Sequence, residues 1–115
     1  MSDLWHYTCA HAIGAILADG MVIPRPQPVL GGRSVSWWTD IDWPTSPESL
    51  GLTSHILACN RMEYRVQAGD ITGIVPWTRW VRQAAGVHRR LLEVPGTLPA
   101  HWFVTGDAVP IVGGQ

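Results

Sequence analysis

The chain opens on a change of period. Leu4-Trp5-His6-Tyr7-Thr8-Cys9 is rich in aromatic and branched residues that suit a pleated surface, which predicts a strand. From Ala10 to Asp19 the pattern turns helical, with Ile13, Ile16 and Leu17 falling on one face at i, i+3, i+4 spacing. Thr8 is the expected cap of that helix, because its hydroxyl can accept from the unpaired backbone N–H groups of the first turn. Gly20 is the expected exit, in the left-handed conformation that glycine adopts at little cost. Met21-Val22-Ile23 then makes a short apolar strand or turn, stopped by Pro24, Pro26 and Pro28.

Further along, Arg25–Arg33 holds enough proline and glycine to read as a loop. Ser34-Val35-Ser36-Trp37-Trp38-Thr39 is a strand by content, and Asp40–Ser49 an exposed loop with two prolines. Gly51–Met62 fits strand or helix equally. Glu63–Gln67 alternates and predicts a strand, Gly69-Asp70 a turn, and Thr78–Ala85 a short helix capped by Thr78. In that helix Trp77, Val81 and Ala84 would face the core. Arg89–Val94, His101–Thr105 and Ala108–Val112 complete the expected strands. The sum is α+β: compact mixed or antiparallel sheets with one N-terminal helix and one or two short ones.

Composition narrows this picture. The 115 residues suit a single domain spanning 1–115, and 46% apolar with 15% charged residues describes a packed chain. A net charge of −1 supplies no global field toward nucleic acid or membrane. All eight basic residues are arginine, which fits either a GC-rich codon bias or bidentate anion contacts. Two cysteines make no disulfide framework, and no stretch approaches the ~20 apolar residues of a membrane span. The first residues lack a secretion signal, so a cytoplasmic location with reduced thiols is expected.

Chemistry is concentrated in a few places. Trp37 and Trp38 are adjacent in a strand and point to opposite faces, so one indole should leave the main core for a cleft or the surface. There it could stack a flat ring. His6 and Thr8 share one face of the first strand, Trp5 and Tyr7 the other. His6, Cys9, His11, His55 and Cys59 are enough donors for zinc, but their spacing matches no standard pattern and no metal site is assigned. Arg79, Arg82, Arg89 and Arg90, with His88 and nearby indoles, suit either a solvated face or contacts to nucleic acid.

Leu4–Thr8, a helix ending at Gly20, the Gly20-x-x-x-Pro24 exit and Val35–Asp40 together resemble the first two motifs of ADP-ribosyltransferase-fold proteins, in particular small prokaryotic and phage members. The resemblance covers Leu4–Asp42. It implies an NAD-binding protein, NAD being substrate, that cleaves the nicotinamide–ribose bond and transfers ADP-ribose to a protein or nucleic-acid acceptor. His6 would bond the ribose, Tyr7 would complete the motif, Thr8 would support the amide or the backbone turn, and Trp37 or Trp38 would wall the nicotinamide. Glu93 would be the acid that stabilises the developing positive charge, with Glu63 as the other candidate. Arg25, Arg33 or the group Arg79, Arg82, Arg89 and Arg90 would meet the pyrophosphate. Leu91 stands where many protein-directed transferases carry Gln or Glu, which departs from that pattern. The alternatives are an inactive interaction or inhibitor protein of the same fold, or a nucleic-acid or nucleotide-processing domain.

Overall fold

The computed structural model describes residues 3–27, 30–41, 64–83, 93, 95 and 97–112. The first strand, β1, runs Trp5–Thr8 and leads through Cys9 into α1, Ala10–Asp19. The cap is Cys9, not Thr8: the strand keeps its extended backbone one residue longer than expected, and no side chain bonds the first turn. Cys9 instead uses its carbonyl, which accepts from Ala12 and Ile13 N–H, each at 3.1 Å. Thr8 is buried. Gly20 ends the helix at φ 70°, its N–H donating to the Ile16 carbonyl, as the sequence predicts.

Short β2 (Met21–Val22) and β3 (Arg25–Pro26) follow, and then the longest strand, β4, over Ser34–Thr39. The residues expected as loop from Arg25 therefore begin with a strand. Beyond it lie β5 (Tyr64–Gln67), β6 (Val75–Pro76), the single-turn helix α2 (Trp77–Trp80), β7 (Trp102–Thr105) and β8 (Val109–Pro110). Thr78 lies inside α2, not at its cap, because the preceding Pro76 starts the helix one residue earlier. A 3₁₀ turn continues α2 through Val81–Gln83, and Trp77 and Val81 are buried as expected. Gly51–Met62, Ala84 and most of Arg89–Val94 lie outside the described residues.

Every described pairing is antiparallel, and the main sheet runs β5-β1-β4-β7-β6. The protein is α+β, with a mostly antiparallel sheet and two short helices. β2 and β8 form a separate pair. The centre of the sheet is β4. Along one edge it pairs with β7 over four residues, Ser36–Thr39 against Thr105–Trp102. Along the other it meets β1 at Thr39↔Trp5 and β3 at Val35↔Arg25 and Ser34↔Pro26. Between these contacts, at residues 36–38, no described strand pairs with that edge.

Because side chains alternate along β4, each face builds its own core. On one face Trp38 packs with Leu4, Ile16, Val22, Val66, Ile74 and Val109. On the other, Val35 joins Leu30, Trp77, Val81, Trp102 and Val104, with half-buried Trp37 and Trp80 against them. The second indole of the Trp37-Trp38 pair thus leaves the first core only to enter another. There its ring centroid lies 5.1 Å from that of Trp77 and 5.9 Å from that of Trp102, the latter edge-on. Such aromatic pairs add about 0.5–1.5 kcal/mol each beyond area burial.

Two tests follow from the turns. Gly20→Ala forces a Cβ into the left-handed region, and should cost about 1 kcal/mol in urea denaturation with no change of slope. In the turn before β6, the exposed Asp70 carboxylate accepts from the Thr72 hydroxyl at 2.6 Å and the Thr72 N–H at 2.9 Å. These bonds, the hydroxyl's first, hold Asp70 below its ordinary 3.8. A lowered carboxyl stabilises the fold above 3.8 and loses that contribution as pH falls through the folded value. The difference in urea midpoint between the wild type and Asp70→Ala should therefore be larger at pH 6 than below pH 3.8.

Candidate functional site

The open edge of β4 is where the sequence-predicted residues gather. The β1–β4 register sets Trp5 opposite Thr39, which carries His6 to the level of Trp38. The imidazole of His6 packs on the Trp38 indole with centroids 5.4 Å apart and planes tilted by 48°. Its Nδ1 lies 2.7 Å from the Trp37 carbonyl oxygen. A carbonyl only accepts, so Nδ1 carries the hydrogen. In the neutral ring this makes Nε2 an acceptor, the role needed to receive a sugar hydroxyl. A side chain thus satisfies the β4 carbonyl within the stretch that β1 and β3 leave between them.

The rest of the triplet is structural in its described contacts. Tyr7 is buried, and its hydroxyl donates to the Ile41 carbonyl at 2.9 Å, tying β1 to the chain leaving β4. Thr8 is buried at the strand end. Trp38 is 2% exposed, and its indole N–H donates to Ser36 Oγ at 2.9 Å. Trp37 is the more open of the two indoles.

Glu93 lies in a bend and is half-buried, with Oε2 accepting the Trp77 indole N–H at 2.8 Å. Trp77 is fully buried, so this carboxylate meets the one polar need of the largest fully buried side chain in its core. The contact places Glu93 on the Trp37 face of the sheet. Trp37 is the shared link: its carbonyl holds His6, and its ring packs on the indole that holds Glu93. Glu63 lies outside the described residues.

The basic and metal-ligating candidates separate. Arg25 is exposed on β3 opposite Val35, three residues along β4 from the level of His6, or roughly 10 Å. Arg33 donates through Nη1 to the Leu30 carbonyl at 2.8 Å. Arg79 and Arg82 are exposed, Arg82 donating to the Thr78 carbonyl, while His88, Arg89 and Arg90 lie outside the described residues. Cys9 Sγ sits 3.8 Å from His11 Nδ1, whereas His6 turns to Trp37; His55 and Cys59 lie outside the described residues. No group of three or more His, Cys, Asp or Glu side chains among the described residues could hold a metal, and no described helix is long and apolar enough to cross a membrane.

One pair was not singled out from the sequence. Asp40 Oδ1 and His101 Nδ1 lie 2.8 Å apart although 61 residues separate them. The Thr39↔Trp102 register explains it, since the next residue outward on each strand is Asp40 and His101. Only the pairing of β4 with β7 reveals this, and neither residue carries a local motif. Comparison with known proteins yields no matching family model, curated protein or solved structure.

The Trp77–Glu93 bond predicts a contrast. Glu93→Leu leaves a buried indole N–H without its acceptor and should cost about 1–3 kcal/mol. Glu93→Gln keeps a carbonyl oxygen for that bond, and should cost less than half as much in the same urea titration.

Proposed function

We propose that this chain is an NAD-binding protein of ADP-ribosyltransferase-like fold that cleaves the nicotinamide–ribose bond and passes ADP-ribose to a protein or nucleic-acid acceptor. The observation that carries this reading is the His6–Trp37 hydrogen bond at the open edge of β4. It fixes the imidazole's hydrogen on Nδ1 and gives Nε2 the polarity to accept from a ribose hydroxyl. The motif by which the sequence resembles the family is thus held in a conformation suited to its expected role.

Loss of nicotinamide breaks the C–N bond with the electron pair leaving on the ring nitrogen, so positive charge develops on the sugar. Glu93 is the candidate carboxylate for that charge; its bond to the Trp77 indole sets it on the Trp37 face of the sheet, whereas the His6 ring lies on the Trp38 face. Trp37, half-buried, is available to wall the leaving ring, and Trp38 supports His6 from behind. Exposed Arg25, on the strand that bounds the other end of the gap, is the candidate cation for phosphate.

A second reading has its own observation. The Glu93 carboxylate has a structural task as the acceptor for a fully buried indole, which is what a fold retained for binding without chemistry would keep. In that case Glu93→Gln leaves the protein's activity intact, whereas in a transferase it abolishes NAD turnover.

Calorimetric titration with NAD tests the first reading. Binding should be detected, and His6→Ala should weaken it about tenfold, the worth of one hydrogen bond of roughly 1–1.5 kcal/mol. Absence of binding up to millimolar NAD removes the proposal.

A further inference from the structure

The face of the sheet that carries His6 and Trp38 also carries a groove of about 230 Å³, with Leu4, Asp40, Ile71, Ile74 and Phe103 among its lining. Its position follows from the strand registers. Phe103 stands opposite Trp38, and Leu4 and Asp40 are the residues just outside the Trp5↔Thr39 pair. The groove therefore begins beside the His6–Trp38 level, where β1, β4 and β7 end or start together.

Size and chemistry restrict what fits. Pockets for drug-sized ligands begin near ~300 Å³, so this groove is too small for a dinucleotide. The groove is open to solvent, so a single ring can lie against it with a short arm directed to Asp40. Four of the five lining residues named are apolar, and Asp40 supplies the single charge. His101 Nδ1, 2.8 Å away, contacts Oδ1 of that carboxylate. Asp40 is 26% exposed and His101 48%, so the carboxylate is the more enclosed partner of the two.

From this we infer that the groove is a binding site for a compact organic cation, an arylalkylamine in chemical class, whose ring lies among Leu4, Ile71, Ile74 and Phe103 and whose ammonium meets Asp40. Burying the ring removes apolar area from water, and the carboxylate orients the ligand through a charge-assisted hydrogen bond. A neutral ligand of the same shape gains only the first contribution. The site is separate from the contacts proposed for NAD, which centre on His6 and the Trp37 carbonyl, and it stands or falls independently of them.

The test uses the full chain and phenethylamine as probe, with 2-phenylethanol as its neutral counterpart, followed by NMR shifts of the Ile71, Ile74 and Leu4 methyl groups. Phenethylamine should shift all three and bind at least about tenfold more tightly than 2-phenylethanol, as expected for a charge-assisted contact. Asp40→Asn should bring the two ligands to similar affinity. His101→Ala, which removes the competing ring donor, should bind phenethylamine at least as tightly as the wild type. His6→Ala should leave this binding unchanged. Equal affinity for the two ligands in the wild type, absence of methyl shifts at 10 mM phenethylamine, or loss of binding in His101→Ala would each overturn the inference. Loss of NAD binding with phenethylamine binding intact would instead remove the NAD reading alone.

Discussion

The period of two along β4 is the constraint from which the rest of the structure follows. Trp37 and Trp38 are too large to leave in water, and consecutive strand residues cannot turn to the same side. The protein therefore needs two cores, one for each indole. α1 and the β2–β8 pair supply apolar residues to the Trp38 core, through Ile16, Val22 and Val109. Leu30, α2 and its 3₁₀ extension supply the Trp37 side with Trp77, Trp80 and Val81. A six-residue strand thus sits between layers on both faces, which is uncommon for an antiparallel sheet that could leave one face to solvent.

That arrangement also explains where polar groups collect. With both faces filled, chemistry is displaced to the edges and ends of β4. At its open edge His6 takes the Trp37 carbonyl that a neighbouring strand would otherwise pair. At its C-terminal end Asp40 meets His101, and Tyr7 meets the Ile41 carbonyl. Glu93 meets the second core as the acceptor of the Trp77 indole, without which a fully buried N–H would stand against apolar neighbours. Each of these polar contacts joins segments distant in sequence, so local backbone propensity and polar recognition act at different places in the same small fold.

Much of the backbone was legible because it depends on local forces. β1, the span of α1, the Gly20 exit and the full extent of β4 follow from period, aromatic content and one glycine. The misplaced caps at Thr8 and Thr78 have a common cause. A hydroxyl is only one way to satisfy a helix start, and here strand pairing of Thr8 and the fixed geometry of Pro76 set the boundary first. β3 and β6 were missed because each is two residues long and contains proline, so only pairing with β4 and β7 reveals them. The candidate site was legible as residue types but not as contacts. Nothing local says that His6 bonds a backbone carbonyl, that Glu93 meets Trp77, or that Asp40 finds His101.

NAD recognition, as proposed, centres on the open edge of β4, where the Trp37 carbonyl meets His6 and Trp38 packs on its ring. The seven indole N–H groups of the chain can be followed by NMR, and Trp37 and Trp38 bracket that edge. On titration with NAD, the Trp37 and Trp38 indole signals should shift saturably, and those shifts should be lost in His6→Ala. Shifts confined to other tryptophans, or Trp37 and Trp38 signals that stay fixed at millimolar NAD, would contradict this placement.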